Sequence, residues 1–215
     1  MAVLISRRAL GVAAALTALF ALAGCDRVSG LAGVAGSGGK SSFKAIDITG
    51  ADYGRELSLT DTEGRRRTLA DFRGKIVVLF FGFTHCPDVC PTTMVELAEA
   101  KRQLGADGDR IQGIFVTIDP ERDTPELLKA YVSNFDPSFV ALRGDADETK
   151  KAAREFKVFY AKVPGKTPDS YTMDHTAGSY VIDAQGRLRL FTRYGSGVQA
   201  LVDDLKLLLA EAKAG

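Results

Sequence analysis

Two long, almost wholly apolar runs constrain the fold of this chain more than any other feature of the sequence. They are Lys75–Phe81, KIVVLFF, and Ile111–Ile118, IQGIFVTI. Strands without polar alternation are typical of the centre of a parallel sheet, where helices cover both faces. The runs therefore predict two buried, parallel central strands.

The segments around these runs alternate between helical and extended patterns. Predicted helices are Cys90–Leu104, a helix capped by Thr124 with Pro125 at its first position, Asp147–Phe156 and Gln199–Ala212. Predicted strands are Glu56–Thr60, Phe139–Leu142 and the hairpin arms Gly178–Asp183 and Arg187–Tyr194. Val158–Met173, rich in Pro and Gly, is predicted to be a long loop. We therefore expect an α/β fold with central parallel strands, an antiparallel C-terminal hairpin and flanking helices, an order that resembles the thioredoxin fold.

The first 24 residues have the pattern of a signal peptide. Arg7 and Arg8 precede the apolar stretch Ala9–Ala23, which is too short for a membrane-spanning helix of about 20 residues. The stretch leads into Leu-Ala-Gly-Cys25, which resembles the lipobox of bacterial lipoproteins. The resemblance implies cleavage after residue 24 and lipidation of Cys25. An uncleaved signal anchor with an incidental cysteine is the alternative.

The residues that follow Cys25 predict attachment to a membrane through a flexible tether. Asp26 resembles the inner-membrane retention signal of Gram-negative lipoproteins, so we expect a location on the periplasmic face of the inner membrane. Residues 26–42 contain five glycines and four serines, a composition that buries too little apolar area to fold. We therefore assign residues 25–42 to the lipidated cysteine and its tether, and residues 43–215 to the globular domain. Charge is balanced, with 28 basic and 27 acidic residues, which argues against nucleic acid as a partner.

Cys86 and Cys90 are the chemically distinctive pair, because the third cysteine, Cys25, is assigned to lipid. If a helix starts near Pro87, Cys86 is its N-cap and Cys90 lies in its first turn, where amides and the helix dipole favour thiolate. The pair fits a redox couple, a soft-metal site or a structural disulfide. Two sulfurs are too few for zinc or an iron–sulfur cluster, whereas Cu(I) accepts two or three ligands.

Two histidines are candidates for a third ligand. His85 adjoins Cys86, but neighbouring residues often point apart. His175 precedes the predicted hairpin, and in a thioredoxin-like fold that position faces the cysteine-bearing helix. The alternative is a partly exposed loop histidine without a ligand role. For the thioethers of Met94 and Met173 we expect packing rather than copper contacts.

Three motifs in order give the sequence a recognisable pattern. Phe83–Pro91 reads FTHCPDVCP, Ile118–Thr124 reads IDPERDT, and Asp174 precedes His175. Together they resemble the Sco/SenC family of copper-binding proteins, over roughly residues 43–212. The resemblance implies a thioredoxin-like domain that binds copper through Cys86, Cys90 and His175. It also implies a role in assembling the binuclear copper centre of cytochrome c oxidase subunit II.

The expected function is that of a copper metallochaperone rather than an enzyme. One copper ion, Cu(I) or Cu(II), is the expected cargo, and a periplasmic copper donor is an expected second partner. The alternative is a thiol–disulfide oxidoreductase that uses Cys86 and Cys90 to reduce the copper-ligand cysteines of subunit II. We interpret Asp119–Asp123 as a polar patch near the site that faces a partner, or else as a solvated loop.

Overall fold

The computed structural model describes residues 42–167 and 170–214. The predicted signal peptide, Cys25 and the tether up to residue 41 lie outside these residues. In the part of the chain that is described, no helix combines the length and apolar character needed to cross a membrane.

A mixed sheet forms the centre of the described domain. Its strands are β1 (Ile46–Asp47), β2 (Ser58–Asp61), β3 (Arg66–Thr68), β4 (Ile76–Gly82), β5 (Ile111–Thr117), β6 (Val140–Arg143), β9 (Gly178–Ile182) and β10 (Leu188–Arg193). The strand order is β1-β10-β9-β4-β5-β6-β2-β3. Strands β4, β5 and β6 are parallel, and the other pairings are antiparallel. This is the predicted α/β arrangement with parallel centre and antiparallel C-terminal hairpin.

Four α-helices accompany the sheet. They are α1 (Val89–Gln103), α2 (Pro125–Ser133), α3 (Ala146–Glu155) and α4 (Val198–Ala214), with short 3-10 segments at Leu69–Phe72 and Gly105–Arg110. Thr124 caps α2 as predicted, because its hydroxyl accepts the Leu127 N–H at 3.2 Å. Pro125 occupies the first turn, where a missing N–H leaves no helical bond unmade.

The two apolar runs form the centre of the sheet. All seven residues of β4 and all seven of β5 are buried. The strands pair in register from Ile76–Ile111 to Gly82–Thr117, so their carboxyl ends lie at the same edge. The cysteine segment follows β4 and the acidic 118–124 segment follows β5, and this register places the two segments side by side.

The predicted long loop at Val158–Met173 is wrong. The chain there forms a second sheet from β7 (Tyr160–Pro164) and β8 (Tyr171–His175), antiparallel and in register from Tyr160–His175 to Pro164–Tyr171. Of the Pro and Gly residues that suggested a loop, Pro164 ends β7 and Gly165 follows it, whereas Pro168 lies outside the described residues. Proline is tolerated at such an edge, where its missing N–H breaks no interior ladder.

Candidate metal centre

Three chain segments converge at the carboxyl edge of β4. The first follows β4 and carries Cys86, and the second is the start of α1 with Cys90. The third is the end of β8, where two residues separate His175 from the start of β9. Since β9 pairs directly with β4, with Ser179 opposite Phe80, the histidine is brought back to the cysteines.

Two sulfurs and one imidazole nitrogen come together at this edge. Donor atoms of Cys86, Cys90 and His175 lie within 4.8 Å of one another, and His175 Nε2 is 3.6 Å from Cys90 Sγ. Among residues 42–167 and 170–214, they are the one group of three or more His, Cys, Asp or Glu side chains with such spacing. Both cysteines are free thiols. The arrangement offers an S₂N donor set suited to a soft metal ion.

The two thiols differ sharply in environment. Cys86 is half-buried, whereas Cys90 is fully buried. A hydrogen bond from the Cys90 thiol lowers the pKa of Cys86 from 9.0 to about 5, with help from the Asp88 and Cys90 amides and against the effect of burial. The same interaction, together with burial, raises the pKa of Cys90. Cys86 is therefore the thiolate at neutral pH, and Cys90 keeps its proton until a cation or a reaction removes it.

Helix α1 begins at Val89, one residue before the predicted start at Cys90 and two residues after the Pro87 start that would make Cys86 the N-cap. Asp88, not Cys86, is the N-cap of α1, and its carbonyl accepts the Thr92 N–H at 3.1 Å. A turn intervenes, closed by the Cys86 N–H on the Phe83 carbonyl. Cys90 does lie in the first helical turn, and its N–H donates to Cys86 Sγ at 3.3 Å. A first-turn amide thus stabilises the sulfur of Cys86, as expected for a helix terminus.

The His175 ring is fixed by its other nitrogen and by two aromatic rings. Nδ1 lies 3.0 Å from the Thr176 carbonyl. Because a carbonyl only accepts, Nδ1 carries the hydrogen and Nε2 presents its lone pair to the sulfurs. Phe80 and Phe83 meet the ring edge-on at centroid distances of 5.9 and 6.0 Å. The imidazole is therefore oriented before any metal arrives.

Gly82 leaves the space that Cys90 Sγ occupies, a role that we did not predict from the sequence. A Cβ at Gly82 would lie 2.9 Å from Cys90 Sγ, 2.7 Å from Phe80 Cε1 and 2.9 Å from Phe115 Cε2. Its backbone is ordinary strand, so space rather than conformation requires glycine. The signal in the sequence is a glycine that ends a buried strand just before the cysteine motif.

Comparison with protein families gives a match to the SCO1/SenC family over residues 47–210. The matched region covers most of the chain and includes Cys86, Cys90 and His175. The chain belongs to the SCO1/SenC family. This confirms the resemblance seen in the three sequence motifs.

Individual Sco proteins agree with this membership. The chain is 41% identical over 143 residues to the mitochondrial SCO2 homolog of Bos taurus, which is 66% of this chain and 53% of the bovine protein. The match thus spans about half the length of that relative. The structure of ScoI from Bradyrhizobium japonicum with copper bound is 42% identical, with a TM-score of 0.66, and covers 74% of this chain and 99% of that one.

A more distant structure, BsSco, is described as a member of the Sco family of cytochrome c oxidase assembly proteins. It is 20% identical, has a TM-score of 0.58, and covers 77% of this chain and 97% of its own. At that identity it supports the shared fold alone.

The other residues singled out in this SCO1/SenC chain lie outside the donor group. His85 is half exposed, and its Nδ1 lies 3.1 Å from the Thr84 hydroxyl oxygen. Met94 and Met173 are buried in the core, as expected for packing residues. Asp119 and Asp123 are almost fully buried, so the prediction that these two carboxylates face a partner or lie in a solvated loop is wrong. The predicted nearness of the segment to the site is confirmed, because Asp123 accepts the Thr84 hydroxyl.

Proposed function

We propose that this protein is a copper metallochaperone that binds one copper ion through Cys86 Sγ, Cys90 Sγ and His175 Nε2. The observation that carries the proposal is the convergence of these three donors within 4.8 Å. Thiolates with one imidazole suit Cu(I), and the nitrogen donor also favours Cu(II). The copper-bound ScoI structure, at 42% identity, supports copper as the cargo.

The proposed recipient is the binuclear copper centre of cytochrome c oxidase subunit II, with a periplasmic copper donor on the supply side. Membership in the SCO1/SenC family supports an oxidase-assembly role. The lipobox motif supports attachment through lipidated Cys25 on the periplasmic face of the inner membrane. Several buried acyl chains, each worth about 0.8 kcal/mol per CH₂, give stable anchoring.

Unequal access to the donors supports transfer by ligand exchange. Cys86 and His175 are half-buried and reachable, whereas Cys90 is fully buried. A recipient ligand replaces the accessible donors first, and Cys90 releases the ion last. Copper keeps its oxidation state in this exchange. A recipient thiol loses its proton to solvent when it binds the ion, and the freed Cys90 sulfur takes a proton up from solvent.

Copper titration of the reduced full chain tests the proposal. We expect one Cu(I) per chain, because the site has one set of three donors. Oxidation to a Cys86–Cys90 disulfide should abolish binding, since it leaves one imidazole and no thiolate. The Cys86→Ser, Cys90→Ser double variant keeps Cys25, so the copper that it binds is subtracted from the copper bound by the wild-type chain. Tight 1:1 binding by the oxidised chain would contradict the proposal.

A thiol–disulfide oxidoreductase is the second candidate. It is favoured by two free, hydrogen-bonded thiols of which one is accessible and the other buried. Cys86 sulfur would attack a partner disulfide, and Cys90 would then displace the partner from the mixed disulfide. The partner gains two electrons and two protons, and Cys86 and Cys90 are oxidised to a disulfide.

Replacing His175 separates the two candidates, because dithiol exchange needs no imidazole. His175→Ala should weaken Cu(I) binding modestly and Cu(II) binding by at least tenfold, since Cu(II) depends on nitrogen donors. Reduction of a small disulfide should persist. His85→Ala is the matched control, because His85 adjoins Cys86 but lies outside the donor group, and it should leave both affinities unchanged. Normal oxidase assembly in cells carrying His175→Ala would instead support the oxidoreductase.

A further inference from the structure

The segment after β5, Asp119–Asp123, contains two buried carboxylates. The side chains of Asp119 and Asp123 are each 0% exposed. Buried carboxylates persist when donors satisfy them. The hydrogen-bond donors to these carboxylates come from two sides of the candidate metal centre, the cysteine side and the histidine side. The segment therefore contacts both sides.

Asp123 contacts the cysteine side of the centre. It accepts the Thr84 hydroxyl at 2.6 Å and the Thr84 N–H at 3.2 Å, two residues before Cys86. It also accepts the Thr117 hydroxyl at the end of β5. The cysteine segment is thus fixed to the end of the neighbouring strand.

Asp119 and Arg122 contact the histidine side through Tyr171, the first residue of β8. The Tyr171 hydroxyl donates to Asp119 Oδ1 at 2.8 Å, and Arg122 Nε donates to Asp119 Oδ2. The Arg122 guanidinium also donates to the Tyr171 carbonyl at 2.9 Å and stacks on its ring, with Cζ 3.6 Å from the centroid. Tyr171 is therefore held at its hydroxyl, its ring and its backbone.

This contact matters because β7 and β8 are hydrogen-bonded as strands to each other alone in the described structure. An isolated two-stranded hairpin is marginally stable in water and takes its position from side-chain packing. Tyr171 begins β8 and His175 ends it, four residues later. A strand that is fixed at Tyr171 has its far end fixed as well.

We infer that Arg122 is a positioning residue, which clamps Tyr171 and thereby holds His175 Nε2 against the sulfur of Cys90. The inference rests on the proposed function in using copper as the probe. Arginine is suited to this role because its planar fork donates in two directions while its face stacks on an aromatic ring. Lysine keeps the charge but lacks the fork and the stacking face.

Hydrogen–deuterium exchange of the metal-free, reduced full chain is the first test. Arg122→Lys should speed exchange of the amides in Tyr160–Pro164 and Tyr171–His175. Arg187→Lys is the matched control, because Arg187 Nε also donates to a buried carboxylate, Asp183, at 2.8 Å but lies at the turn between β9 and β10. Unchanged exchange in the hairpin of Arg122→Lys would overturn the inference.

Copper binding is the second test. Arg122→Lys should lower Cu(II) affinity about 10–100-fold, the usual range for residues that orient a ligand, and should lower Cu(I) affinity less. In a His175→Ala background the same substitution should change Cu(II) affinity by less than about twofold, because its effect passes through His175. Equal losses in both backgrounds would overturn the inference.

Tyr171→Phe keeps the ring and removes the hydroxyl bond to Asp119, so it remains informative if Arg122→Lys folds poorly. It should shift exchange and Cu(II) affinity in the same direction by a smaller factor, and no shift in either would contradict the clamp. A wild-type chain that binds no copper refutes the proposed function, whereas the metal-free exchange experiment still decides the clamp.

Discussion

At the scale of single residues, the candidate metal centre depends on the lack of a side chain at Gly82 as well as on the three donors. Cys90 Sγ, Phe80 and Phe115 all lie within 3 Å of where a Cβ at Gly82 would be. A methyl group there must displace the sulfur or an aromatic ring in a close-packed interior.

Gly82→Ala should therefore affect both the fold and the site. We expect a loss of about 1–3 kcal/mol in the free energy of unfolding from overpacking. Because the sulfur moves, Cu(I) affinity should also fall about tenfold. Urea denaturation and copper competition measure the two effects.

Gly113→Ala is the matched control for this prediction. Gly113 lies in β5, next to β4, and its Cβ would crowd Phe139 at 2.6 Å and Leu97 of α1 at 3.0 Å, with no thiol among its three nearest atoms. It should destabilise similarly and leave Cu(I) affinity unchanged. Equal affinity losses in both variants would show that the effect of Gly82→Ala is general destabilisation.

Asp61 gives the fold a defined pH dependence. Burial raises its pKa, but hydrogen bonds from Arg67, Arg65 and Glu63 outweigh burial and lower the pKa from 3.8 to about 2. Between pH 3.8 and 2 the unfolded chain binds a proton that the folded chain does not, so this stabilisation is full above pH 3.8 and is lost as the pH falls to 2.

Asp61→Asn should remove about 2 kcal/mol of unfolding free energy at pH 7 and almost none near pH 2, at about 1.4 kcal/mol per pKa unit. Urea melts at both pH values measure this. Glu63→Gln, in the exposed pair with Lys129, should change stability by less than about 1 kcal/mol at either pH. A pH-independent loss in Asp61→Asn would contradict the assignment.

The sequence singled out the three candidate donors but not the roles that we assign to Gly82 and Arg122. Cys86, Cys90 and His175 are rare types whose chemistry is visible at short spacing or in a motif. Gly82 and Arg122 act through contacts across 8 and 49 positions of the chain, Gly82 with Cys90 and Arg122 with Tyr171. Such contacts form only after β4, β5 and β8 have paired with their neighbouring strands and packed together.

At the scale of elements, burial decided which predictions succeeded. Strands β4 and β5 and helix α4 carry strong apolar patterns, and the sequence located each within one or two residues. In the β7–β8 hairpin only one of the ten strand residues, Met173, is buried. The prediction there relied on the Pro and Gly residues and missed a weaker signal of strand structure. That signal is the alternation of Tyr171, Met173 and His175 with exposed residues along β8.

Helix α4 also holds the start of the domain. Asp204, almost fully buried on α4, accepts the N–H groups of Lys44 and Ala45 at 2.7 and 2.8 Å, just before β1. Asp204→Ala should lower the free energy of unfolding by about 1–3 kcal/mol, because two amides lose their acceptor. It should also speed hydrogen exchange in residues 44–48.

Asp203→Ala is the control for this prediction. Asp203 is the preceding residue and accepts Gln199 Nε2 on the same helix. It should leave exchange at residues 44–48 unchanged. Unaltered exchange in Asp204→Ala would show that β1 is held mainly by its pairing with β10.

At the scale of the whole molecule, the lipobox motif remains a prediction about residues outside the described structure. We expect Cys25 to be the first mature residue and to carry lipid, with the protein retained in the inner membrane. Mass spectrometry of the mature amino terminus and membrane fractionation measure this. Cys25→Ser removes the sulfur that would carry the lipid, so it should prevent lipidation and normal processing. An unmodified amino terminus at another residue of the wild-type protein would contradict the prediction.

The separation of the donors along the chain has a consequence for biogenesis. Cys90 and His175 are 85 positions apart, and their meeting requires β9 to dock on β4. Contacts of such long range form late, because loop closure must precede them. A nascent or unfolded chain therefore presents two thiols without the imidazole. Copper that binds all three donors of the folded chain stabilises the native state by RT ln(1 + [Cu]/Kd), which is about 2.7 kcal/mol when the free copper concentration is 100 times Kd. On the proposed function, a misfolded copy that lacks the imidazole should therefore compete poorly for Cu(II), which depends on the nitrogen donor, and only slightly less well for Cu(I).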